Sequence, residues 1–230
     1  KSRTKLVVLS HLLWNTGQIM PISSIAAQLS THPNHPYLLV DGAQSFGQIS
    51  INAEASLADI YAFTGHKWAC GPEGLGAVVL SKRILEEARP TLIGWRSLQH
   101  EGCVGEDDNN TFHKDGRRFE VATSCIPLLA GLRCSLGLLQ NESTKEERLQ
   151  AIRKRSFQLW NNLQSLKGVN VLLEGPPPAG LVSFTLNQKL STTEVVKILG
   201  KQNLWIRDLE DPICLRACLH VMSQEEEIES

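Results

Sequence analysis

The chain has 230 residues, 42% hydrophobic and 20% charged, with a formal net charge of -1. That length supports one large core or two modest ones, and the near-neutral balance, without a basic stripe or basic amphipathic helix, argues against nucleic acid and membrane surfaces as partners. No apolar run is long enough to span a bilayer, the apolar part of Lys1-Ser2-Arg3-Thr4-Lys5-Leu6-Val7-Val8-Leu9 is too short for a signal peptide, and the 6 cysteines are scattered; a reduced cytoplasmic protein acting on a small polar or zwitterionic molecule is expected.

In chain order, Leu6 to Leu9 reads as a short buried strand, Pro21 to Leu29 as a helix with proline in its first turn, and Tyr37 to Val40 as a continuous apolar strand. Strand, crossover helix and strand imply a parallel sheet. Ile60 to Phe63 and Ala77 to Leu80 add two strands. Polar residues then gather at strand ends: Asp41 is followed by Gly42-Ala43-Gln44, and Thr64-Gly65-His66-Lys67-Trp68 follows the third strand. Open α/β sheets place ligands at such ends. Lys67 lies between an apolar strand and the turn-rich Cys70-Gly71-Pro72-Glu73-Gly74-Leu75-Gly76, a setting expected to restrict water and favour a neutral, nucleophilic amine. That turn lacks the glycine spacing of a dinucleotide loop and leads into a strand.

The pattern weakens from Arg83 to Glu120, and residues 101–110 read as a long polar loop. Ile126 to Gln140 is helical in character. Ser143 with Glu146 forms a capping box for a further helix, whose apolar stripe is Leu149, Ile152, Leu159, Leu163 and Leu166, ended by Gly168. After the rigid Pro176-Pro177-Pro178 come a strand from Leu181 to Leu186, a helix from Thr192 to Gln202, strands Leu204 to Arg207 and Ile213 to Val221, and a solvated helix opening at Glu225. In the last strand Ile213, Leu215, Leu219 and Val221 share one face, and Cys214, Arg216, Cys218 and His220 the other. Arg216, on the polar side of a half-buried strand, can pair bidentately with an α-carboxylate, a surface salt bridge being the alternative. Cys214, Cys218 and His220 lack a further ligand to complete a tetrahedral metal set.

The order and spacing of Asp41, Gln44, Thr64, His66, Lys67 and the following glycine-rich turn resemble the class V aminotransferase family of fold-type I pyridoxal phosphate enzymes. That group includes cysteine desulfurases, C-S lyases and isopenicillin N epimerase. The resemblance runs from about Leu6 to the C-terminus. It implies an α/β fold: a partial large cofactor-binding domain with a mainly parallel sheet over residues 1–120, and a small α+β domain over 121–230. It also implies pyridoxal 5'-phosphate as cofactor, with Lys67 its Schiff-base lysine and Asp41 the partner that keeps the pyridine nitrogen protonated. Gln44 would donate to the phenolic oxygen, and Thr64 and His66 would hold the phosphate. Arg216 and Arg207 would hold the substrate carboxylate. Trp95 would sit in a loop reaching the active site or a neighbouring subunit's cofactor phosphate, with a packed core tryptophan as the alternative. Trp14 takes the position of a cofactor-contacting asparagine, leaving Asn15 as its candidate replacement. A homodimer with shared sites is implied, as is an N-terminal half that does not precede Lys1.

Desulfurases of this group carry a mobile cysteine on a loop just before the carboxylate-binding arginine. Here the corresponding stretch, Asp208 to Leu215, is short, and Cys214 falls within a strand. The resemblance therefore favours a C-S lyase acting by β-elimination on cystine or cysteine-type amino acids. Lys67 would remove the α-proton, and the products would be persulfide or sulfide, pyruvate and ammonia, with a sulfur-acceptor protein as a further partner. A desulfurase, an epimerase, an aminotransferase and a non-catalytic fragment are the alternatives.

Overall fold

The computed structural model describes residues 3–100, 111–187 and 190–229. In its first part, strands β1 (Leu6–Ser10), β2 (Tyr37–Asp41), β3 (Ile60–Thr64) and β4 (Gly76–Leu80) form one sheet in that order. β1, β2 and β3 run parallel and β4 returns antiparallel to β3, pairing Thr64 with Gly76. The reversal follows from chain length, because the turn after Thr64 is too short for a crossover. Helices α1 (Ile22–Ser30) and α2 (Asn52–Leu57) supply the connections. Pro21 stands at the N-cap of α1, one residue outside the expected first turn. Ile22, Leu38, Val40, Ala55, Ala58 and Tyr61 form the core between this sheet and the two helices.

After a short helix α3 (Lys82–Glu87), the long helices α4 (Ile126–Glu142) and α5 (Lys145–Ser165) lead to a second sheet. The capping box of α5 is one residue later than expected: Glu147 N–H donates to Thr144 Oγ1 at 3.2 Å, and Thr144 N–H donates to Glu147 Oε2 at 2.8 Å. Strands β5 (Val169–Val171), β6 (Leu181–Leu186), β7 (Arg207–Glu210) and β8 (Ile213–Cys218) form an antiparallel sheet ordered β5-β6-β8-β7. β7 begins where the expected strand ended. Trp205 is 78% exposed ahead of it, while Ile206 packs on the core. Helix α6 (Thr192–Gly200) connects β6 to β7, and Val182, Phe184, Leu215 and Ala217 pack against Leu163 of α5 and Ile228 of α7 (Glu225–Glu229). Leu166, expected to continue the α5 stripe, is 54% exposed.

A third cluster, Leu12, Trp68, Ala179 and Leu181, joins the two sheets. Leu12 and Leu181 are buried to 1% and 0% exposure, contributing about 1.5–3 kcal/mol each. The junction also requires Gly17. Its φ is +80, and a β-carbon there would stand 2.7 Å from the Leu181 carbonyl oxygen. Among the described residues no helix is long and apolar enough to cross a membrane. The expected long loop at 101–110 lies outside the described residues.

Candidate active site

β1 and β2 end side by side at Ser10 and Asp41, and β3, whose Ala62 lies opposite Asp41, runs two residues further along the same edge to Thr64. The chain turns over this edge in two loops. In the first, Gly42 lies directly over the buried ring of Tyr61, where a β-carbon would come within 2.3 Å of Cε1. Tyr61 O–H lies 2.8 Å from His11 Nδ1. Burial lowers the His11 pKa and raises that of Tyr61, so the hydrogen-bonded pair is neutral. Asp41 is exposed, and its Oδ1 accepts the Ala43 N–H at 2.8 Å.

In the second loop, Gly65 N–H donates to Leu75 O and Gly71 N–H donates back to Gly65 O, so the segment bearing Lys67 closes into a compact ring. Cys70 adopts φ 54, and its N–H donates to Lys67 O at 3.0 Å. Helix α4 supports the ring from beneath, where a β-carbon on Gly71 would stand 2.6 Å from Leu132 Cδ1. Below Gly47, φ +97, the Trp68–Ala69 backbone passes so closely that a β-carbon would lie 2.4 Å from the Trp68 carbonyl carbon. Lys67 itself is exposed, contrary to the expectation that its flanking segments shield it from water. The turn-rich segment folds toward α4 and β3 and leaves the amine uncovered.

Lys67 lines an open cavity of ≈ 460 Å³ together with Trp14, Gln44, Trp68, Arg207, Arg216, Cys218 and His220. Trp68 Nε1–H donates to Gln44 Oε1 at 2.8 Å, which commits the amide oxygen and leaves its NH2 group as a donor. Arg207 and Arg216 are direct partners across β7 and β8. Like charges directly opposite repel, and an anion between them relieves the repulsion. Arg216 is 8% exposed; its Nη1 donates to Trp14 O at 2.5 Å, and its Nε has no hydrogen-bond partner. Among the described residues neither arginine is in an ion pair. Asp208, adjacent to Arg207, instead accepts from Thr193 Oγ1 at 2.7 Å.

β8 departs from the expected half-buried strand, since Cys214, Leu215, Arg216 and Ala217 are all buried. One face packs on α5 and the other on the junction with the first sheet. Burial pushes the Cys214 thiol up, against the opposing effect of Arg216. Of the expected site residues, Gln44, Lys67, Arg207 and Arg216 meet at the cavity. Asp41, Thr64 and His66 stand at the same sheet edge outside its lining. Trp95, 55% exposed in a 3-10 turn at Trp95–Ser97, is also outside it. Asn15 is committed to the junction, its Nδ2 donating to Asp211 O at 3.0 Å and its Oδ1 accepting Thr16 N–H, so Trp14 faces the cavity alone.

Trp68 and His220 escaped the sequence reading as site residues. Their rings stack at 5.7 Å, His220 Nδ1 accepts the Met222 N–H, and Nε2 therefore donates to Trp68 O at 3.2 Å. The indole following Lys67 was the available signal. Among the described residues no three His, Cys, Asp or Glu side chains are grouped to hold a metal.

Comparison with known proteins adds a common origin. The family model described as Aminotransferase class-V matches residues 1–230. A cysteine desulfurase of Haloferax volcanii is 31% identical over 215 residues, covering 89% of this chain and 46% of the relative. A solved complex between the cystine C-S lyase C-DES and its reaction product cysteine persulfide superposes with a TM-score of 0.90 at 45% identity, covering 99% of this chain and 59% of that one. A mutant of C-DES, with glycine covalently linked to the PLP cofactor, gives the same TM-score at 44% identity. The chain thus spans about half the length of the curated relatives it matches.

Proposed function

The chain belongs to the class V aminotransferase family, and from that membership we propose that it is the cofactor- and substrate-binding part of a pyridoxal phosphate-dependent cystine C-S lyase. The observation that carries the reading is the cavity itself. A primary amine, a free amide donor and two facing arginines converge there from two sheets. The unpartnered Arg216 Nε and the uncommitted Gln44 NH2 are the polar groups that such a cofactor and its amino-acid substrate would satisfy.

The cofactor, when bound, supplies the electron sink that makes the substrate α-proton acidic. Lys67 would hold it and, displaced by the substrate amine, would take that proton. Gln44 would donate to the phenolic oxygen, Asp41 would face the pyridine nitrogen, and Thr64 with His66 would bind the phosphate. Arg216 and Arg207 would clamp the substrate carboxylate, fixing which bond at the α-carbon is cleaved. Trp95 would act on the site of a second subunit, which its exposure favours.

Elimination is favoured over desulfuration by the β7–β8 connection. Glu210 pairs with Ile213, leaving only Asp211 and Pro212 in the turn, so no mobile cysteine loop precedes Arg216. The reading extends to a cytoplasmic homodimer that hands sulfur to an acceptor protein. The five described cysteines are free, in keeping with a reducing compartment.

Two measurements test the proposal. The protein mixed with pyridoxal 5'-phosphate is expected to develop a visible-edge absorbance band that Lys67→Ala abolishes. Incubated with cystine, it is expected to form pyruvate and persulfide. Alanine from cysteine, without pyruvate from cystine, would establish desulfuration instead.

A further inference from the structure

Cys218 closes β8 and lines the same cavity as Lys67, Arg207 and Arg216. Side chains two apart on a strand share a face and lie about 7 Å apart along it. The Cys218 thiol and the Arg216 guanidinium therefore flank one stretch of the cavity. Among the described cysteines, Cys218 alone is both exposed and part of the lining. Cys214 is buried at 0% exposure. Cys70 Sγ lies 3.7 Å from His220 Nε2, and burial pushes its thiol up. Cys125 and Cys134 are exposed elsewhere.

Arg216 points independently to a ligand at this place. It is a cation at 8% exposure whose Nε has no protein partner, and a buried charge left in that state is costly until an anion completes it. A sulfur amino acid held there by its carboxylate can extend its sulfur along the strand toward Cys218.

We propose that Cys218 is a sulfur-accepting thiol, loaded by cysteine persulfide formed in this cavity. The source of that persulfide rests on the lyase reading. The Cys218 thiolate attacks the outer sulfur of the persulfide; one S–S bond forms, the original S–S bond breaks, and cysteine leaves as a thiolate. The proton lost by Cys218 is matched by one gained by the departing cysteine. The transferred sulfur keeps its oxidation state, so the exchange needs no oxidant or reductant. The exposure of Cys218 lets a second thiol collect the sulfur by the same reaction.

The test follows added sulfur on each cysteine by alkylation and peptide mass spectrometry, with pyruvate measured in parallel, on the protein supplied with pyridoxal 5'-phosphate. One sample receives cystine and another receives preformed cysteine persulfide. One extra sulfur is expected on Cys218 from either, at least about tenfold faster than on Cys125 or Cys134, because binding makes the encounter intramolecular. Arg216→Gln should erase that preference for preformed persulfide, whereas mere surface reactivity would keep it. Pyruvate formation with no sulfur on Cys218, or equal loading of all exposed cysteines, overturns the proposal and leaves the lyase reading standing. Preferential loading by preformed persulfide without pyruvate from cystine overturns the lyase reading and supports Cys218 as the acceptor.

Discussion

At the edge of the first sheet, Asp41 closes β2 while His66 and Lys67 are displayed from the loop after β3, and all three remain exposed; in the second sheet, Arg216 is displayed from the middle of a strand buried on both faces. The first arrangement leaves the chemistry of each side chain to whatever is seated beside it. The second makes one residue serve fold and site together, since Arg216 Nη1 also ties β8 to the Trp14 carbonyl. Substitutions of the exposed side chains Asp41, His66 and Lys67 should therefore cost activity alone, and that of Arg216 should cost both.

The largest expected effect tests that contrast directly. On the proposed reading, Arg216→Ala would remove two charge-assisted contacts to the substrate carboxylate, each about 1.5–3 kcal/mol, for an expected combined loss of roughly a hundredfold or more in kcat/KM. It also strands the Trp14 carbonyl and should lower unfolding stability by about 1–3 kcal/mol. Arg207→Ala, at an exposed position, should weaken substrate binding with a stability change within about 0.5 kcal/mol. Steady-state kinetics and denaturant titrations on both variants check the split; equal stability losses would break the comparison. Next comes Gly47→Ala. Its β-carbon would strike the Trp68 backbone at a positive φ, so a stability loss of about 2–4 kcal/mol with displacement of the Lys67 loop is expected. Trp68→Phe is milder. It keeps the ring and frees the Gln44 oxygen, so cofactor affinity should fall by about 1 kcal/mol, read by titration of the absorbance band.

The same contrast explains how much of the molecule the sequence disclosed. Motif residues at the ends of β2 and β3 were legible because apolar runs mark strands and polar residues mark where they stop. The capping box slipped by one residue because Ser143-Thr144 and Glu146-Glu147 satisfy the same spacing twice; backbone geometry selects Thr144 and Glu147. β7 was placed too early because Trp205 and Ile206 supply apolar character, while pairing is set by the turn that matches Glu210 to Ile213. β8 looked half-buried because alternation shows which residues share a face and not what packs on each. Its Arg216 face is covered by the Trp14 segment, 202 residues away in sequence. Asn15, a plausible replacement for a cofactor-contacting asparagine, is instead spent on Asp211, another contact too distant for local pattern to reveal.

The smallest effect concerns the support beneath the first loop. His11 is 2% exposed, and burial lowers its pKa from 6.5, more than the nearby Glu54 raises it. The folded state therefore binds fewer protons at this imidazole than the unfolded chain does. Linkage then makes stability rise with pH in that window. The contribution is fully present above 6.5, declines as pH falls below 6.5, and levels off beneath the lowered folded value. Protonation would also place a buried cation beside Tyr61 beneath Gly42. His11→Gln keeps a hydrogen-bonding partner for Tyr61 but cannot titrate. Its unfolding midpoint should change less than the native protein's as pH is lowered across that window, and the difference between the two curves isolates His11. Parallel curves would mean that the neutral pair under the Asp41–Gln44 loop is not what holds that edge of the first sheet in place.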